Sequence, residues 1–149
     1  MPRCDGFTLL EMLVVLLIVG LFSALGVASL DAGQAPMRQA LAQLANDART
    51  HAAQARHGGQ LLGLRWNGQQ PEFVHWQVEQ GRGVWRVEGA RSVPWPAQLQ
   101  PDWPRSAEPR VIFTPSGLAG PVALTWRWPE GSQRWHWRAD NRLEIATQP

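Results

Sequence analysis

Four histidines, fourteen arginines and one isolated glutamate at the head of an apolar run carry most of the reactive chemistry in this 149-residue chain. His51 and His57 lie close together, while His75 and His136 sit beside tryptophans, and no spacing among them and the carboxylates has the pattern of a metal site. Ser92, Ser106, Ser116 and Ser132 lack the sharp strand-to-helix setting of an activated nucleophile. No glycine-rich loop runs into a helix to cradle a phosphate. The histidines are therefore expected in structural or solvent roles, the protein is not expected to be an enzyme, and neither a cofactor nor a metal is expected.

Aromatic side chains interleaved with cations can bind single-stranded nucleic acid by stacking and charge. Trp126-Arg127-Trp128 and Arg134-Trp135-His136-Trp137-Arg138 have that composition. In a strand, however, successive side chains point to opposite faces, so the tryptophans fall on one face and the charges on the other. The pattern predicts core tryptophans beneath a solvated arginine face, and nucleic acid is not an expected partner.

Glu11 is the most telling residue. It stands at the start of an almost unbroken apolar run, Met12 to Leu30. A carboxylate inside a bilayer helix costs roughly 2.5–3.5 kcal/mol even on insertion scales, so it normally has a partner and a task. Stacking such helices with an axial stagger brings the amino-terminal ammonium of one subunit near Glu11 of the next, and pairing makes the buried charge tolerable.

These residues need elements to hold them. At about 1.5 Å per residue, a helix over Leu9–Leu30 is roughly 33 Å long, enough to cross a hydrocarbon core of about 30 Å. Gly20, Ser23, Gly26 and Ser29 give it a line of small side chains, which suits close helix packing and is equally common in membrane helices generally. Cys4, the one cysteine, precedes this segment, so no intrachain disulfide is possible. The formal net charge of +2 is a weak argument for nucleic acid.

Pro36 suits the first turn of a continuing or restarted helix. Met37, Leu41, Leu44, Ala45, Ala48 and Ala52 then follow at helical spacing, with Arg38, Gln43, Asp47, Arg49 and Gln54 on other faces. This amphipathic helix is expected to end at Gly58-Gly59, the first glycine taking the left-handed cap. Its alanine-rich stripe is expected to pack on the domain that follows.

From Gln60 onward, short runs rich in Leu, Val, Ile and Trp alternate with Gly, Pro and Asn. The expected strands are Gln60–Trp66, Glu72–Glu79, Val84–Glu88, Arg110–Thr114, Val122–Trp128, Gln133–Arg138 and Arg142–Ala146. Asn67-Gly68 and Gln80-Gly81-Arg82-Gly83 predict hairpins, and the proline-rich stretch from Arg91 to Pro109 predicts a long surface connection or an irregular edge. Alternation over 73–79 and 84–88 predicts one packed and one wet face. The fold class is α+β: a long amino-terminal helix, apolar then amphipathic, packed on a small antiparallel β-sheet domain. The expected divisions are a leader over 1–6, a transmembrane helix over 7–30, a stalk helix over 31–59 and a β-rich globular domain over 60–149.

Gly6-Phe7-Thr8-Leu9-Leu10-Glu11 and the apolar run after it resemble the class III signal of type IV pilins and type II secretion pseudopilins. The resemblance implies cleavage between Gly6 and Phe7 by a prepilin peptidase, N-methylation of Phe7, and Glu11 as the fifth residue of the mature chain, an assembly residue. Phe113-Thr114-Pro115-Ser116-Gly117, followed by the strand Val122–Trp128, is similar to the F-x-P-x-G segment of the minor pseudopilin H (GspH) group, which includes FimT-like pilins. In physical terms Phe113, Pro115 and Gly117 make a strand, a proline-led turn, a glycine free to take positive φ, and a returning strand. The chain departs from many pilins in lacking a carboxy-terminal cysteine pair and a proline in the transmembrane half of the helix.

These resemblances imply a minor pseudopilin: a structural subunit of the pseudopilus tip, single-pass in the bacterial inner membrane with its globular domain in the periplasm. Its implied partners are other minor pseudopilins, the major pseudopilin, the prepilin peptidase and exported proteins. The alternative is a FimT-like minor pilin that binds DNA in natural transformation. That group is associated with a carboxy-terminal arginine motif, for which Arg138-Ala139-Asp140-Asn141-Arg142 is a loose substitute containing an acid.

Overall fold

One long helix, α1 (Leu9–Gly58), opens the structure and is continuous through Pro36. The computed structural model describes residues 8–89, 93–118, 120–140 and 142–148, without the side chains of 24–32, 118 and 148. The chain divides into two compact units, Met1–Pro36 and Met37–Pro149. In the first, every large apolar side chain from Leu9 to Phe22 is exposed. Among the described residues no helix is long and apolar enough to cross a membrane. The expected span over 7–30 includes Phe7 and the side chains of 24–30, which lie outside the description.

In the second unit, α1 buries Met37, Ala40, Leu41, Leu44, Ala45, Ala48, Ala52 and Ala55. Their three- and four-residue spacing makes one stripe, and the alanines let the sheets come close. The helix stops when Gly59 takes φ 66°, a conformation that glycine adopts without steric cost. The left-handed cap is thus Gly59 rather than Gly58.

Nine strands follow among the described residues: β1 (Leu62–Trp66), β2 (Pro71–Glu79), β3 (Arg82–Val87), β4 (Gln100–Pro101), β5 (Val111–Thr114), β6 (Gly117–Leu118), β7 (Val122–Trp128), β8 (Gly131–Trp137) and β9 (Leu143–Gln148). They form a five-stranded sheet in the order β3-β2-β1-β5-β6 and a four-stranded sheet in the order β4-β7-β8-β9. All pairings are antiparallel. Asn67 closes the β1–β2 turn by accepting the Gln69 and Gln70 N–H groups on its side-chain oxygen, both at 2.8 Å. The β2–β3 turn holds Gln80 and Gly81 at φ 50° and 78°, the positive pair that matches strand twist in a two-residue hairpin.

Leu62, Leu64, Trp66, Phe73, Val111 and Phe113 of the first sheet meet Leu124, Trp126, Trp128, Trp135 and Trp137 of the second in one cluster with the helix stripe. As the alternation predicts, Arg127, Arg134, His136 and Arg138 are exposed while the four neighbouring tryptophans are buried. Trp126 is the hub, with the ring centroids of Trp66, Trp95, Trp103 and Trp135 4.9–6.2 Å from its own. The indole N–H groups of Trp103, Trp126, Trp128 and Trp137 find no acceptor among the described residues. An unmet buried donor costs about 1–3 kcal/mol, whereas burying a tryptophan at about 25 cal/mol per Å² over roughly 150–250 Å² contributes roughly 4–6. Burial wins, and edge-on aromatic contacts offset part of the loss.

Three expectations change. Of the two expectations for 91–109, the sheet edge is found in β4, but over the described residues 93–109 the stretch also enters the core: Leu99 and Trp103 are buried in it and Trp95 packs against it. Proline at this edge removes no hydrogen bond from a central ladder. Along β2 the two-faced pattern breaks down, because Phe73 and Val74 are both buried whereas Trp76, Gln77 and Val78 are all exposed. The hairpin outruns the core. The strand returning from β5 is the short β6, while β7 belongs to the other sheet.

Candidate functional site

The amino-terminal motif enters the described structure at Thr8. Its hydroxyl oxygen accepts the Glu11 N–H at 3.2 Å, and its carbonyl accepts the N–H groups of Glu11 and Met12 at 3.0 and 3.2 Å. Thr8 is therefore the N-cap and Glu11 the third helical residue, the spacing of a capping box. A carboxylate in this first turn also meets the positive end of the helix dipole, worth about 0.3–1 kcal/mol. Glu11 is exposed and makes no ion pair among the described residues. Gly6 and Phe7 lie outside the described residues.

The second motif is a corner. Phe113 is fully buried, with its ring edge-on to Trp137 at 5.2 Å, so a side chain of the first sheet meets one of the second. Thr114 and Gly117 are register partners, leaving Pro115 and Ser116 as an exposed two-residue turn. The Thr114 hydroxyl closes it by donating to the Gly117 carbonyl at 2.6 Å. Gly117 takes φ 130°, and a Cβ there would stand 2.7 Å from the Ala139 carbonyl oxygen. Glycine is required twice over at this position, by conformation and by contact. No sequence signal pointed to Ala139, because the contact is backbone and long-range.

Beside that contact, the β8–β9 turn carries the arginines of the loose motif. Arg138 Nη1 donates to Glu144 Oε1 at 2.9 Å, and this hydrogen bond is the main reason the Glu144 carboxyl sits below the ordinary range. Arg142 Nε lies 3.6 Å from Asp140 Oδ2, and the Arg56 guanidinium donates to the Asp140 carbonyl at 3.4 Å. Both arginines are matched to acids on their own chain. The tryptophans that precede them on β8, Trp135 and Trp137, are buried in the core, so among the described residues these arginines have no exposed tryptophan beside them on β8 to stack a base. Among the described residues no group of three His, Cys, Asp or Glu side chains converges as metal ligands.

Two of the histidines approach carboxylates. His51 lies on Phe73, its Nδ1–H donates to the Asp47 carbonyl at 2.8 Å, and its Nε2 stands 3.3 Å from Glu88 Oε2. His136 Nδ1 is 3.9 Å from Glu144 on the exposed face of β8.

Residues 1–27 match the family described as the prokaryotic N-terminal methylation motif. No curated protein matches the chain in sequence. Among solved structures, the minor pseudopilin EpsH from the type 2 secretion system of Vibrio cholerae has the same fold, with a TM-score of 0.57 and 15% sequence identity over 74% of this chain and 95% of that one. At that identity the likeness is one of fold. The protein thus combines a prepilin-type amino terminus with a pseudopilin-like α+β fold.

Proposed function

We propose that this protein is a minor pseudopilin of a type II secretion system, a non-catalytic subunit of the pseudopilus tip. The observation that carries the reading is the pairing of a methylation motif over residues 1–27 with the fold of EpsH. Cleavage after Gly6 frees the Phe7 amine, and in the staggered assembly that amine neutralises Glu11 of a neighbouring subunit. The row of exposed apolar side chains from Leu9 to Phe22 fits a helix that lives in the inner membrane before assembly and against other helices after it. The second unit then lies in the periplasm, among other minor pseudopilins and the exported proteins.

Arg138 and Arg142, on which a DNA-binding role would rest, are both matched to acids, and this favours secretion over DNA uptake. Co-expression of the full chain with a prepilin peptidase and partner pseudopilins tests the proposal. The expected product begins at N-methylated Phe7 and co-purifies with the partners. An uncut chain, or a processed one that joins no pseudopilin, would refute it.

A further inference from the structure

The outer edge of β3 is open among the described residues, with Arg82 and Arg86 as its only charges. Among the described residues β3 is the outermost strand of its sheet and pairs with β2 alone. Glu88 N–H donates to the Phe73 carbonyl and Trp76 N–H to the Leu61 carbonyl, each at 2.9 Å. Hydrogen-bonding direction alternates along an antiparallel strand, so Arg82, Val84 and Arg86 turn their backbone groups toward β2, while Gly83, Trp85 and Val87 turn theirs outward. Among the described residues nothing accepts or donates at those three positions.

The same three residues share a face with Val74, Trp76 and Val78, through the register pairs Val74–Val87, Trp76–Trp85 and Val78–Gly83. Phe73, beneath His51, marks the opposite face as the one toward the helix. On the outer face Val74 is buried, whereas Val78 is 66%, Val87 43% and Trp76 40% exposed. The Trp76 ring lies across Gly83, where a Cβ would fall 1.7 Å from it, and it meets Trp85 edge-on at 5.1 Å. Soluble sheets normally protect such an edge with charge, proline or a bulge, and an open row of backbone groups beside an apolar face invites another strand.

We propose that β3 pairs antiparallel with β3 of a second copy of this chain, about a two-fold axis at Trp85. Outward-turned residues must meet outward-turned residues, which limits the registers. The register centred on Trp85 sets Trp85 against Trp85, Gly83 against Val87 and Arg82 against Glu88. A shift of one step in either direction sets Arg82 against Arg86, or Arg86 against Arg86, and like charges directly opposed destabilise a ladder. Arg82 is exposed and has no ion pair among the described residues, and the Glu88 side chain is partly open to solvent. The axis also gathers Trp76 and Trp85 from both copies into one aromatic patch. This pairing concerns the second unit alone and stands whether or not the secretion role does.

Engineered cysteines read the register directly. In full-length protein carrying Cys4→Ser, in detergent solution, Val84→Cys with Arg86→Cys should give a disulfide-linked dimer on mild oxidation, since those positions face each other with Cα atoms about 4.5 Å apart. Val84→Cys alone should stay monomeric, because residue 84 then has only a diagonal neighbour about 7–8 Å away. Light scattering of the unmodified chain should show a concentration-dependent dimer that Trp85→Asp abolishes while the far-UV dichroism is retained. A double variant that never links, a single variant that links as readily, or a chain that stays monomeric at every concentration would overturn the proposal.

Discussion

The His51 imidazole lies flat on the Phe73 ring, with centroids 3.9 Å apart and planes within 4°. This stack fastens the last turns of α1 to the start of β2, where the alanine stripe has no large side chain to offer. The ring is anchored by its Nδ1–H to the Asp47 carbonyl, and Glu88 Oε2 stands 3.3 Å from its Nε2. His51→Ala should cost about 1–2 kcal/mol, part of it the stacking itself. Thermal melting should show it as a drop of roughly 3–6 °C per kcal/mol for a domain of this size. His51→Phe, which keeps the stack and loses the two polar contacts, should recover most of the difference.

Gly117 joins conformation and contact at one atom. Gly117→Ala places a methyl group against the Ala139 backbone carbonyl and at a φ that side chains rarely adopt. The expected loss is roughly 2–4 kcal/mol, because backbone on both sides leaves little room to relax. Pro115→Ala, at the exposed turn, should stay within about 1 kcal/mol. Equal losses in urea unfolding of the two variants would contradict the close-approach account.

Glu11→Ala separates capping from assembly. The Thr8 cap survives the substitution, so helix formation and membrane insertion should be unchanged. Incorporation with partner pseudopilins should fall about tenfold or more, and Glu11→Gln should behave like the alanine variant because charge is what the neighbour's amine requires. Normal co-assembly of both variants would remove the charge pair from the mechanism.

Acid should loosen two surface clasps. Glu79 and Glu144 are held below the ordinary carboxylate range, chiefly by hydrogen bonds from Arg86 and Arg138. A depressed folded-state pKa means stability that is present above the unfolded value, about 4.3, and is lost as pH falls through the lower folded values. Both pairs are exposed and screened by salt, so the effect is small. Glu144→Gln should lower the melting temperature slightly near pH 7, leave it unchanged at pH values below the folded-state range, and so flatten the profile between them, as followed by melting temperature across buffers.

Most of the framework could be read from the chain because its signals are local. The helical stripe from Met37 to Ala52, the alternation around Trp126 and Trp135, and the glycine-marked turns each declare themselves within a few residues. The long-range arrangements could not be read this way. Trp95, Leu99 and Trp103 lie in a stretch whose prolines signal a surface loop, yet aromatic burial outweighs that signal once Trp126 offers them a surface. Phe113, Pro115 and Gly117 were visible as a turn, but their role in bringing two sheets together depends on Trp137 and Ala139, which are remote in sequence. The alternation in β2 was legible too. It misled because a hairpin can extend past the core that its pattern implies.

The tryptophan hub makes this domain its own optical gauge. With Trp66, Trp95, Trp103 and Trp135 crowded around Trp126, excitation absorbed by one indole passes readily to the next, so emission is dominated by the lowest-energy ring of the set rather than by an average over nine. Emission polarisation of the unlabelled chain, low while the rings share their excitation and higher once they separate, follows the integrity of the core during assembly without any introduced dye.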